Sequence, residues 1–223
     1  MSFTTKYNSD YFNEIDRNRI DTLTALQKSD NYYFYDEVEL EVGDWFIEYV
    51  KWQHPSHDKW QSSNIFTSYE FEDIEENIPE DSISLHIGAD TGYYSVAYNF
   101  YSNKVIAFEP NPVSYELLRQ NAKLNPNIIP YNVGCSTEDK KETWWYRDET
   151  LYKSGNSDSC DVYLVNLNNF LNELHSDDID KIKFIHIGFE DKDNIVLSTL
   201  SDIIKKNNPK IITKGNESNY ETI

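Results

Sequence analysis

The chain has 223 residues, with 20 Lys and Arg against 39 Asp and Glu, a net charge of −19. A field of that sign repels phosphate backbones and anionic lipid headgroups, so nucleic acid and membrane surfaces are poor partners. Aromatic content of 15% and hydrophobic content of 39% supply a core that a disordered acidic chain would lack, and the length suits one domain with an added flank.

No stretch approaches the roughly 18 apolar residues of a membrane helix, and Met1 to Arg17 carry no apolar signal core. The expectation is a soluble, cytoplasmic protein. The richness in Asn, Ile, Tyr, Asp and Lys is what an AT-rich genome encodes, and host cytoplasm is expected if the source is viral. Cys135 and Cys160 are too few and too isolated for a disulfide framework or a zinc site and read as reduced thiols.

In chain order, Asp10 to Gln27 places Phe12, Ile15, Ile20, Leu23 and Leu26 at mostly helical spacing, which predicts an amphipathic helix. Val38 to Val50 reads as a strand or hairpin. Residues 1–80, with acidic and aromatic clusters at 31–36 and 69–76, form an expected flank or cap to a domain over 81–223. Tyr32, Tyr33, Tyr35, Trp45, Trp52 and Trp60 suit sheet cover, sugar stacking or a protein contact. His54 and His57 could pair on a metal, but no third ligand is near and a proline loop is the expectation; no metal is assigned. From Ile83 onward, apolar runs at 83–87, 105–108, 128–133, 182–187 and 211–212 alternate with helical stretches, the pattern of β-α units and a parallel sheet. Asn111 and Pro112 start one helix, with Val113, Leu117, Leu118, Ala122 and Leu124 as its buried stripe. Val196, Leu200, Ile203 and Ile204 mark another, stopped before Pro209. Residues 143–165 look like an inserted hairpin.

The chain has only seven glycines, and Gly88, Gly92, Gly134 and Gly188 fall at or just past the carboxyl ends of predicted strands, the edge where open α/β sheets bind ligands. His86-Ile-Gly-Ala-Asp-Thr-Gly-Tyr-Tyr-Ser95 joins strand to helix through a turn that lets backbone approach a ligand. Glu109, at the tip of the second strand, is placed to accept the two hydroxyl hydrogens of a ribose. The nucleoside cofactor could be NAD or S-adenosylmethionine. Ala89 and Asp90 break the three-glycine pyrophosphate pattern, and an acid in the turn suits a cationic sulfonium better.

These residues, with Phe108-Glu-Pro-Asn-Pro112, Leu117-Leu-Arg-Gln-Asn121, Leu124-Asn125, Val165-Asn-Leu-Asn-Asn-Phe-Leu171, Ile179-Asp-Lys-Ile-Lys183 and Gly188-Phe-Glu190, resemble the FkbM-type S-adenosylmethionine-dependent methyltransferases over roughly residues 75–213. The resemblance implies a class I methyltransferase (Rossmann-like) α/β fold, strand order 3-2-1-4-5, and O-methylation of a hydroxyl on a sugar, glycan or similar small acceptor. It also implies that Gly88, Ala89, Asp90, Gly92 and Tyr93 line the methionine part of S-adenosylmethionine, Glu109 its ribose, and Asn132 to Gly134 its adenine.

The departures from the family pattern bear on mechanism. His86 stands where Asp usually begins the first motif, and Asp90 replaces a common Asn. In the fourth strand Ile185 and Ile187 replace two acids on the expected site-facing side, while His186 points the other way. The chain stops soon after the fifth strand, so the sheet is expected to be cut short there. Glu190, Asp90, His86 and His186 are candidate bases. Two readings remain open: an O-methyltransferase, and a catalytically degenerate scaffold that binds a protein partner or a second copy of itself.

Overall fold

The computed structural model describes residues 6–28, 34–42, 45–53, 76–147, 150–155, 159–189, 194–214 and 220–222. His54, His57, Trp60, Glu190 and most of the two acidic clusters lie outside them.

Helix α1 (Ser9–Lys28) comes first. Strands β1 (Phe34–Val42) and β2 (Trp45–Gln53) follow as an antiparallel pair. The central sheet is built from β3 (Ile83–Ile87), β4 (Lys104–Phe108), β5 (Ile128–Tyr131), β10 (Ile182–Ile187), β11 (Lys210–Lys214) and β12 (Tyr220–Thr222). Its order is β5-β4-β3-β10-β11-β12. The first five are parallel neighbours, which is the expected 3-2-1-4-5. The sheet does not end there: β12 pairs antiparallel on β11, so the last residues supply one more strand than the sequence suggested.

A second sheet, ordered β6-β9-β7-β8, holds β6 (Gly134–Cys135), β7 (Lys140–Arg147), β8 (Thr150–Tyr152) and β9 (Ser159–Val165). Helices α2 (Tyr93–Tyr101) and α3 (Pro112–Leu124) follow β3 and β4; α4 (Leu167–Leu174), α5 (Ile195–Thr199) and α6 (Ser201–Asn207) come later.

Alternation along the strands sorts the core into two layers. Leu85, Ile87, Ile106, Phe108, Ile185 and Ile187 face α4, α5, α6 and the start of α1, where Phe170, Leu171, Val196 and Leu200 meet them. Val105, Ala107 and Phe184 face α2 and α3, against Val96, Ala97, Tyr98 and Leu118. The helix read as continuous over 196–204 is two short ones, meeting at Leu200, whose backbone leaves the helical region.

Helix α3 opens as its sequence dictates: the Asn111 side chain caps it by accepting the Val113 N–H, with Pro112 in the first turn. Its stripe is buried except for Leu124, which is exposed at the carboxyl end. Helix α1 docks through Ile15 and Leu23, while Ile20 faces solvent. A buried ion pair joins Arg19 to Glu116 of α3, which also holds Arg119 at 2.7 Å. The Asn18 side-chain amide donates to the Asp161 carbonyl of β9 at 2.8 Å, and the Tyr7 hydroxyl donates to Asp139 at 2.7 Å.

Candidate functional site

The expected site lies where β3, β4 and β10 end side by side. Beyond Ile87 the Gly88 and Ala89 N–H groups both donate to the Phe108 carbonyl at 2.9 Å, so the chain bends around the tip of β4. Gly88 and Gly92 have φ of +77° and +91°, in the left-handed region where a Cβ is strained, and Asp90 at +50° holds the same hand between them. The Gly92 N–H closes the turn on Ala89 O at 2.9 Å. From α3, the Asn121 side-chain amide donates to the Thr91 carbonyl at 2.8 Å.

Glu109 is drawn into this bend. One carboxylate oxygen accepts the Asp90 N–H and the other the Asn111 N–H, both at 2.7 Å. The side chain thus ties the turn after β3 to the start of α3. It is buried, and burial, aided by the charge of Asp90, pushes its carboxyl up to about 8 against the pull of the two N–H bonds. Each carboxylate oxygen keeps a second lone pair. In its ionised form, above about pH 8, the group therefore has the capacity to accept two hydroxyl hydrogens while still holding the bend.

The other expected cofactor residues divide. Ala89 is buried under the turn, Asp90 is exposed, and Tyr93 opens α2 half-buried with its ring edge-on to Tyr94. Asn132 is buried and its amide donates to the carbonyls of Glu109, at 2.8 Å, and Pro110, at 3.2 Å. It braces the exit of β4. At Gly134 a Cβ would stand 2.7 Å from Leu164 and 3.1 Å from Pro110, so bare backbone is required by packing.

The two histidines are brought together, but inside the protein. His86 and His186 occupy paired positions of β3 and β10, and their rings stack at 4.6 Å and 15°. His86 Nδ1 shares a 2.7 Å hydrogen bond with Ser95 and His186 Nδ1 one with the Tyr98 hydroxyl, both on α2. Burial holds His86 well below the ordinary imidazole range and His186 down at about 3. Two neutral imidazoles fastened to α2 explain why histidines are tolerated on this face, and they clamp helix to sheet. A base at the strand tips needs contact with an acceptor, which neither ring has from its place in the core.

Ile185 and Ile187, read as lying on the site-facing side, instead enter the apolar layer with Leu85 and Ile87. Both are fully buried, so carboxylates there would stand unpaired among aliphatic side chains. Among the described residues no group of three or more His, Cys, Asp or Glu is disposed to hold a metal ion, and no described helix is long and apolar enough to cross a membrane.

Three contributors to the site carried no assigned role in the sequence: the Asn111 N–H, Asn121 and Phe189. Asn111 and Asn121 lie within recognisable motifs, one as a helix cap, but their grip on Glu109 and Thr91 depends on where the turn after β3 falls. Gly188 and Gly88 approach so closely that a Cβ on Gly188 would lie 2.5 Å from the Gly88 carbonyl oxygen. The Phe189 ring sits on Gly88, 2.7 Å from where its Cβ would be, and remains 39% exposed.

This topology, with a glycine bend and an acid at the next strand tip, defines the class I, Rossmann-like methyltransferase fold. Residues 73–220 match the methyltransferase FkbM domain, and the chain belongs to that family. Solved structures similar to it include an FkbM methyltransferase from Methylobacillus flagellatus KT, at 14% identity over 60% of this chain and 32% of that one, TM-score 0.42. An rRNA methylase from Streptococcus thermophilus is similar at 12% identity over 66% and 69%, TM-score 0.41. A precorrin-6y C5,15-methyltransferase from Geobacter metallireducens GS-15 is similar at 13% over 70% and 65%, TM-score 0.42. The chain thus spans about a third of the Methylobacillus protein. No curated protein matches it significantly.

Proposed function

We propose that the protein is an S-adenosylmethionine-dependent O-methyltransferase acting on a hydroxyl of a sugar, glycan or similar small molecule. The observation that carries this reading is the Glu109 carboxylate, fastened at the tip of β4 to the Asp90 N–H of the glycine bend. An acid there suits a ribose diol. Gly88 carries no side chain beside it, with the Phe189 ring as its neighbour, and Asp90 favours a positive ligand over a pyrophosphate, so the residues present fit the donor.

When bound, the donor would supply an electrophilic sulfonium methyl to the acceptor oxygen, with the electrons of the carbon–sulfur bond left on a neutral thioether. The chain's part is to hold the two reactants in line and to take up the hydroxyl proton. With both histidines committed inside the core, the proton falls to Glu190, the next residue in the chain after Phe189, or to the exposed Asp90. Asn132, with Gly134 behind it, shapes the adenine side through the backbone it braces. The net charge of −19 favours an uncharged or cationic acceptor over RNA.

A second reading, a scaffold without catalysis that binds a protein partner or another copy of itself, is favoured by Ile185 and Ile187 filling the core where the family pattern carries acids. Calorimetric titration with S-adenosylmethionine, run beside Glu109→Ala, separates the two. The enzyme reading expects saturable binding that the substitution weakens at least tenfold; absence of binding at millimolar donor supports the scaffold.

A further inference from the structure

Among the residues whose burial is described, four large hydrophobic side chains are exposed, and Phe189 is the one at the carboxyl edge of the sheet. Its ring is seated on Gly88. The ring cannot sink further, because Gly188 and Gly88 already meet backbone to backbone beneath it and the stacked His86 and His186 fill the layer under Gly188, the His86 Nε2 lying 3.6 Å from the Gly188 Cβ position. The ring is thus packed on the bend by one side and left 39% exposed on the other, over Gly88, which stands two residues before the exposed Asp90.

We propose that the Phe189 ring is one wall of the donor site and selects for positive charge, so that the sulfonium donor is held more tightly than the neutral thioether product. This rests on the donor-binding reading above and deepens it. The negative face of an aromatic ring attracts a cation and is indifferent to a neutral group of the same shape. Asp90 adds attraction of the same sign at longer range. A leucine in place of Phe189 keeps the apolar contact with Gly88 and removes the ring quadrupole. The consequence for turnover is product release: once the methyl has left, the site loses its preference for what remains.

The test is calorimetric affinity for three ligands: S-adenosylmethionine, its ammonium-bearing analogue sinefungin, and S-adenosylhomocysteine. The wild type is expected to bind the two cations more tightly than the neutral product. In Phe189→Leu this preference falls about two- to five-fold, the range for a partly exposed cation–ring contact, while S-adenosylhomocysteine affinity stays within about twofold. Phe189→Trp should keep or raise the preference. An unchanged ratio in Phe189→Leu overturns the inference and leaves donor binding standing, as does tighter binding of all three ligands, which would mean that the ring blocks the site. Failure of the wild type to bind any of them overturns both this inference and the function on which it rests.

Discussion

At the scale of single residues, Glu109 is the group on which the proposed donor binding turns. Its folded carboxyl sits near 8, against an ordinary value of 4.5, so between those values the folded state holds a proton that the unfolded chain has lost. Stability attributable to this group is therefore greatest below about pH 4.5 and declines as pH rises through 8. Glu109→Gln, which keeps the shape and cannot ionise, should flatten that decline. Its urea midpoint should gain on the wild type between pH 5 and pH 8.5, by a few kcal/mol at most, since each tenfold change in proton affinity is worth about 1.4 kcal/mol. A wild type that loses nothing relative to the variant over this range would show the carboxylate to be well solvated. The position of this acid was legible in the sequence because a strand end and an acid 21 residues past a glycine are local facts. Its two backbone partners were not, since they depend on how the turn of one strand meets the exit of another. Asn132 shows the same limit: its place just past a strand end was readable, its commitment to the carbonyls of Glu109 and Pro110 was not.

The elements make a sharper case. Parallel strands β3, β4 and β10 were readable as apolar runs because both faces of a central strand are buried, yet the same property hid which face of β10 met the site. Counting alternate residues put Ile185 and Ile187 on one face correctly, but that face packs on α4 to α6. Restoring an acid tests this directly: Ile187→Glu should cost more than about 3 kcal/mol in chemical denaturation, because an unpaired charge would enter a dry layer. A variant that melts like the wild type would mean that the face is open to solvent. Helix α1 gives the complementary lesson. Its amphipathic spacing was plain, but nothing in that spacing pairs Arg19 with Glu116 of α3. Arg19→Ala should destabilise by about 1–3 kcal/mol, less than a fully orphaned buried charge because Arg119 and Gln120 still serve Glu116; the urea midpoint measures it. The extra strand β12 is not legible in the sequence because its three residues carry too little alternation to read as an edge strand.

For the whole molecule, the α/β fold of the FkbM methyltransferase family carries an anchored acid at the bend, a glycine pair at the strand tips, two buried histidines fastened to α2 and core isoleucines at 185 and 187, on which the proposed donor binding rests. The strong negative charge and the partly exposed Phe189 ring both suit the cationic donor proposed above. The most direct measurement of the central claim pairs one ligand hydroxyl with one carboxylate. Affinities of S-adenosylhomocysteine and its 2′-deoxy analogue are compared at about pH 9, where the Glu109 carboxyl is ionised, on the wild type and on Glu109→Gln. If Glu109 receives the ribose, loss of the hydroxyl costs the wild type about ten- to a hundredfold, the worth of a hydrogen bond to a charged group, and costs the variant almost nothing. Equal discrimination by both proteins would contradict a ribose-binding role for this acid.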